Sequence, residues 1–284
     1  MFMGGPDEPG HDGGKLDTLA PGTSLRHSPP MKATVSALYR HPVKGFTPER
    51  LAAAELAVGE TFPGDRMYAV EVGDCGFDPA APAFVPKTRF AVLAHIAEVA
   101  RARTRYDDAT GVFHATAPGF PDFAGDLTGE AGRAAFAAWL TDLLGEEARA
   151  PLKVLQAPGA WRFTDHPLGH VSIINLASVR DLEARIGRPL DPLRFRANLY
   201  VEGWPAWAEN DWTGRTLTLG GATATVFKPI VRCAATHVDP ATAERDIEVV
   251  KALFDHYGHT LCGLYVQTTA AGRVAEGDVL ELMA

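Results

Sequence analysis

Between residues 34 and 99 the apolar positions come in short runs broken by Gly, Pro or charge. Residues 34–39, 51–58, 67–72 and 92–99 read as strands, because their β-branched and aromatic side chains suit a pleated surface. Strands at this spacing predict a barrel. After a turn-rich stretch, 117–129, the spacing changes: Phe136, Trp139, Leu140, Leu143 and Leu144 recur on one helical face, with Gly145 as the stop. The second half alternates similarly. Strands are predicted at 152–155, 170–176 and 199–201, then a hairpin, 216–219 and 223–227, about Gly220-Gly221, and closing strands at 263–267 and 279–282. Two more helices carry apolar faces, one of Val179, Leu182 and Ile186 ended by Gly187, the other of Ile247, Val250, Leu253, Phe254 and Tyr257. The pattern is that of a β-rich α+β protein with a few covering helices and no internal repeat.

Composition narrows the function classes. The 284 residues are 46% hydrophobic and 22% charged, which is globular, and 27 Lys plus Arg against 35 Asp plus Glu give a net charge of −8. That sign opposes the basic footprint of nucleic-acid binders, so no nucleic-acid partner is expected. The longest strictly apolar run, 134–140, falls well short of the roughly 18 residues of a membrane helix, so no membrane partner is expected either. Three cysteines, Cys75, Cys233 and Cys262, cannot pair fully, which favours a reducing, cytoplasmic location. Residues 1–30 hold six Gly and five Pro and no Val, Ile, Tyr or Trp, so this leader is expected to be disordered. The expected organisation is leader 1–30, first unit 31–150 and second unit 151–284.

The segment 229–240 lies between a hairpin and a helix, where rigid elements hold a loop. Arg232 beside Cys233 would favour the thiolate, the form that ligates soft metals or carries a persulfide. The competing reading is that Cys233 is a small buried hydrophobe. A zinc site from Cys233, His237, His256 and His259 is weaker still, since no Cys-x-x-Cys pair accompanies it.

Arg232-Cys233-x-x-Thr236-x-Val238-Asp239-Pro240 resembles the signature loop of the molybdenum cofactor sulfurase C-terminal (MOSC) domain family. Upstream, Arg194-Phe195-Arg196-Ala197-Asn198 is similar to its Arg-Phe-Arg-Pro-Asn segment, and Asp211-Trp212 with Gly220 to its acidic-Trp-hairpin element; Gly263-Leu264-Tyr265 and Gly277-Asp278 resemble its closing strand and turn. In the first half, His41-Pro42-Val43-Lys44-Gly45 and Gly64-Asp65-Arg66 resemble the Tyr-Pro-Val-Lys-Ser and Gly-Asp-Arg motifs of the β-barrel domain that often precedes it. The resemblance runs from residue 31 to the end. It implies an N-terminal MOSC-associated β-barrel domain followed by a MOSC β-barrel domain.

It also implies molybdenum cofactor (Mo-molybdopterin), with Cys233 as molybdenum ligand and catalytic residue. Lys44, Arg66, Arg196 and Arg232 are the cations at family positions and suit an anionic phosphate and an oxygen-rich pterin edge. Asn198 either hydrogen-bonds the pterin or caps a turn; Asn175 either donates to the cofactor or is a helix N-cap; Asp239 either orients the Cys233 loop or is a turn residue before Pro240. Gly45 replaces the usual Ser, leaving its backbone amide as the donor, and Ala197 replaces the usual Pro.

The implied activity is reduction of N-hydroxylated small molecules, as in the amidoxime-reducing component family. Three scattered cysteines cannot build a four-cysteine cluster, so electrons must come from a separate ferredoxin- or cytochrome-like donor protein. The alternatives are a sulfur carrier using a Cys233 persulfide, or a non-catalytic molybdopterin-binding module. Pyridoxal phosphate, linked to the family at large, serves the desulfurase domain that full cofactor sulfurases add.

Overall fold

The computed structural model describes residues 31–283, and the leader lies outside the described residues. The first part of the chain forms β1 (Lys32–Arg40), β2 (Glu49–Leu51), β3 (Ala53–Leu56), β4 (Tyr68–Val72), β5 (Arg103–Asp107), β6 (Val112–Ala117), β7 (Phe120–Asp126) and α1 (Glu130–Leu144). The second forms β8 (Leu152–Gln156), β9 (Val171–Asn175), α2 (Leu176–Ile186), β10 (Leu199–Glu202), β11 (Thr216–Leu219), β12 (Ala222–Val231), α3 (Val249–Tyr257), β13 (Leu261–Ala270), β14 (Gly272–Ala275) and β15 (Val279–Leu282). The protein is β-rich, as the alternating pattern predicts.

A closed barrel of seven strands forms in the order β1, β10, β9, β13, β12, β11, β15, with β15 returning to β1 and β2 added outside. Closure leaves no open edge in the ring. Along β11 and most of β12, buried and half-buried positions alternate, as a wall with one face inward requires. The interior is filled by Leu38, Ile173, Val201, Leu219, Leu264 and Leu280. Trp204 plugs it edge-on to Trp212, ring centres 4.7 Å apart. Each such side chain contributes about 1.5–3 kcal/mol on burial.

β9 and β10 run parallel, and α2 makes the crossover that a parallel pair needs. Val179 and Leu182 of α2 and Leu253 of α3 pack against Ile174, Tyr200 and Cys262 of the wall. Gly187 and Gly258, both at φ 72°, end these helices in the left-handed conformation that glycine tolerates best. One expected face is corrected here: α3 starts at Val249, its buried positions are Val249 and Leu253, and Phe254 is 62% exposed.

In the first part, α1 lies across the β5-β6-β7 meander, with Phe136 and Phe113 ring centres 4.9 Å apart and Trp139 Nε1 donating to the Pro121 carbonyl at 2.6 Å. The strand expected at 92–99 is absent. His95 and Ile96 N–H both return to the Val92 carbonyl, at 2.9 and 3.0 Å, and a 3-10 turn Ala97–Arg101 follows. Leu93, Ile96 and Val99 are buried at a spacing of three, the period of a turn rather than a strand. Conversely, β7 occupies the stretch read as turns, because the exposed Pro121, Asp122 and Asp126 and the half-buried Gly125 break the apolar signal.

Strand pairs tie the two parts together. β1 pairs with β10 and β15, β3 with β14, and β4 with β8, so early and late segments meet where the loops gather.

Candidate functional site

β12 ends at Val231, and the next two residues, Arg232 and Cys233, leave the sheet. Cys233 is extended (φ −135°), its thiol is free and half-buried, and its carbonyl accepts from Thr236 N–H and Oγ1 at 3.0 and 2.9 Å, which curls the chain into the 3-10 turn Ala234–His237. Asp239 closes the loop. Its Oδ1 accepts from Ala241 and Thr242 N–H at 2.7 and 3.0 Å, and its Oδ2 accepts from Arg194 Nη2 at 2.8 Å. Burial opposes ionisation, but those backbone donors and Arg194 hold the Asp239 carboxyl below the usual range. Buried Arg194 also reaches Asp246 at 2.7 Å and the His237 carbonyl at 3.0 Å. The thiol therefore sits on a loop clamped at both ends.

Arg232 turns its guanidinium back under the loop. Nε and Nη2 donate to the Cys262 carbonyl at 2.7 and 2.5 Å, and Nη1 donates to the Phe195 carbonyl at 2.8 Å. This arrangement needs Gly263. At φ +79° a Cβ would stand 2.4 Å from the Ile173 carbonyl and 3.1 Å from Arg232 Nη2. Gly263→Ala is expected to cost about 3 kcal/mol or more, since a strained left-handed residue and a forced strand shift add together. A urea midpoint unchanged from wild type would refute it.

The opposite side is built around Asp65, which is almost fully buried. Its Oδ1 accepts from His41 N–H at 2.5 Å, and its Oδ2 accepts from Asn198 Nδ2 at 3.0 Å and from Arg66 Nη1. Burial alone would raise the Asp65 pKa, yet Arg66 and the donors around it bring it to about 2. Arg66 (φ 47°) and Arg196 (φ 51°) both sit in left-handed backbone, a strain that persists only where surroundings impose it. Asn198 Oδ1 takes Ser172 N–H and Oγ at 3.0 and 2.8 Å, so this residue rivets β1, β9 and β10. Lys44 lies beneath, its Nζ donating to the Phe163 carbonyl at 3.0 Å and to Asp165 Oδ1 at 2.5 Å.

Between these walls opens a cleft of about 230 Å³ whose lining includes Cys233, Arg232, Arg196, Arg66, Lys87 and Asp165. Arg196 makes no side-chain hydrogen bond or ion pair among the described residues, and burial together with Arg66 pushes its pKa down to about 10. Asp165 is the cleft's carboxylate. Burial opposes its charge, but Lys44 and Arg66 hold it well below the usual range. Burial also pushes the Tyr265 phenol, on the same wall, up to about 12. A larger groove of about 1840 Å³ runs along α1 and β8, but its charges are mixed: Glu71, Asp74, Glu130 and Glu146 face Arg133, Arg149 and Lys153.

The structure thus brings together Cys233, Arg232, Arg196 and Arg66, with Lys44 one contact behind. Asn198 and Asp239 brace the walls without lining the cleft. Gly45 also lies off the cleft; at φ +91° its missing Cβ lets the chain approach Ala91 and Val92. Asn175 lies elsewhere, accepting from Ala177 N–H at 3.1 Å as the cap of α2 and donating to Glu209 at 2.9 Å. Lys87, Asp165 and Lys228 line the cleft although no sequence motif marks them, and Tyr265, named above only as part of the closing strand, lines it too; Lys228 stands five residues before Cys233.

Residues 32–149 match the MOSC N-terminal beta barrel domain, and residues 162–281 match the MOSC domain. The chain is similar to a molybdenum cofactor sulfurase of Anopheles gambiae, 32% identical over 137 residues, a match covering 42% of this chain and 18% of that protein's length. Among solved structures it is similar to the YuaD protein of Bacillus subtilis (13% identity, TM-score 0.42, 89% of this chain and 96% of that one). It is also similar to YiiM of Geobacillus stearothermophilus (21% identity, TM-score 0.33, 40% and 54%).

Proposed function

The chain belongs to the MOSC family, joining a MOSC N-terminal beta barrel domain to a MOSC domain, and from that premise we propose that it holds molybdenum cofactor and reduces N-hydroxylated small molecules. The observation that supports this most is the free Cys233 thiol opening on a cation-rich cleft in a chain of net charge −8. The donor set fits the group: a soft thiolate suits a sulfur-rich metal, and the unpaired Arg196 guanidinium suits a phosphate. When bound, the cofactor supplies a metal that accepts and returns two electrons.

The chain's residues do the rest. Cys233 would ligate the molybdenum from its clamped loop, and Arg66 and Arg196 would hold the anionic end. Lys44 keeps Asp165 ionised, so at neutral pH Asp165 orients donors instead of giving a proton. Tyr265 keeps its proton well above neutral pH and presents a hydroxyl donor to the cleft. The net reaction is R–NH–OH + 2 H⁺ + 2 e⁻ → R–NH₂ + H₂O, its electrons coming from a separate ferredoxin- or cytochrome-like protein. We place the enzyme in the cytoplasm because its three cysteines cannot pair fully.

Elemental analysis tests the premise. Wild-type protein is expected to carry close to one molybdenum per chain and Cys233→Ser less than about a tenth of that. Stoichiometric metal with an electron source but no reduction of any N-hydroxylated compound would overturn the reductase reading. The sulfurase relative favours a second reading, a persulfide on Cys233. Intact mass after incubation with a cysteine desulfurase decides it, since absence of an added sulfur on Cys233 rejects the carrier.

A further inference from the structure

The cleft holds more positive charge than its own acids answer. Lys44 is matched by Asp165, Arg66 by Asp65, and Arg194 by Asp239 and Asp246, while Arg232 has its donors on two carbonyls. Arg196, Lys87 and Lys228 line the cleft without an ion pair or side-chain hydrogen bond among the described residues. Arg232, Arg196, Lys87 and Lys228 thus have no acid of their own, and a phosphate monoester, with about two negative charges, still leaves positive charge over.

Position singles out Lys228. Arg196 and Lys87 both act electrostatically on Asp165, whereas Lys228 acts on His166. It lies opposite Tyr265 on the neighbouring strand, next to a register shift in β12, with its ammonium 5.4 Å from the Phe227 ring centre. The His166 ring lies 5.1 Å from Phe227 and 6.4 Å from Tyr265, centre to centre. The ammonium is steadied by a π face beside two further rings, an arrangement that fits a flat body bearing an anionic substituent.

Building on the reductase reading, we propose that the cleft selects N-hydroxylated substrates that carry a carboxylate on a planar body, and that Lys228 is the residue that reads the charge. The carboxylate pairs with Lys228, the planar part lies along His166 and Tyr265, and the N–O group is left to face Cys233. Salt weakens the preference, because part of the pairing is open to solvent.

The test uses cofactor-loaded protein and two probes, benzamidoxime and 4-carboxybenzamidoxime. At low ionic strength the carboxylated compound is expected to have a kcat/KM at least about fivefold higher, with the ratio collapsing toward one in Lys228→Gln and returning in Lys228→Arg. Calorimetric binding of both compounds to the same preparations separates this proposal from the premise. Charge-selective binding that disappears in Lys228→Gln supports it even without turnover, an outcome that would reject the reductase reading alone. Reduction of both probes with equal efficiency, or a ratio unmoved by Lys228→Gln, overturns the proposal and leaves the reductase reading standing.

Discussion

Asp65→Ala is expected to lower stability by about 3–5 kcal/mol and, on the cofactor reading proposed above, to lower molybdenum content with it. The carboxylate answers three donors at once: the His41 N–H at 2.5 Å, Asn198 Nδ2 at 3.0 Å and the Arg66 guanidinium. Removing it strands a largely buried cation and two buried N–H groups without their acceptor, and desolvation is what makes that costly. Arg66 would also lose the anchor that holds its strained backbone toward the cleft. Asp65→Asn keeps an acceptor for His41 and should recover part of the stability, which makes it the variant to measure should alanine fail to fold. Urea unfolding and metal content are the readouts. Wild-type stability in Asp65→Ala would show that the hub does not hold the site.

Acidification is the second large effect. His41 is fully buried, and both ring nitrogens lack hydrogen-bond partners; Asp65 Oδ1 stands 3.5 Å from Nδ1. Burial first, and Arg196 next, lower its pKa from the ordinary 6.5 to about 4, so the folded protein keeps it neutral. A base whose folded pKa is depressed stabilises above its unfolded value and loses that contribution as pH falls toward the folded one. The loss belongs between pH 6.5 and 4 and is about 2–3 kcal/mol from pH 7 to pH 4.5. Asp65, held at about 2 against an ordinary 3.8, adds a further loss only below that window. His41→Tyr places there the side chain of the motif this segment resembles and should flatten the upper step. An unchanged drop in that variant would assign the acid sensitivity to other groups.

These residues mark where sequence reasoning stopped. The Cys233 loop was legible because its residues are contiguous, and the arginines were legible because each belongs to a short motif. His41 and Asp65 lie within those motifs, yet their role depends on a partner, Asn198, more than 130 positions away. Lys87, Asp165 and Lys228 carry no motif; only the meeting of the 3-10 turn Lys87–Arg89, the loop of Asp165 and the strand β12 makes them neighbours. Strands such as β11 and β12 could be read because one face is apolar and the other polar. β5, β6 and β7 could not, since polar residues and turn formers outweigh their inward positions. The ring closure by β1 was hidden for a different reason: local pattern says what is a strand, never which strand it meets.

That closure has a consequence for synthesis. Ala33 pairs with Leu280, so one of the first strands translated must wait for one of the last before the barrel can shut. At about 5–20 residues per second the interval is on the order of tens of seconds. During that time β1 presents a bare strand edge, and its partner β10 can cover only one side of it. Until β15 follows, the ring stays open on that side, and the MOSC portion cut away from residues 32–40 would be a barrel missing a stave.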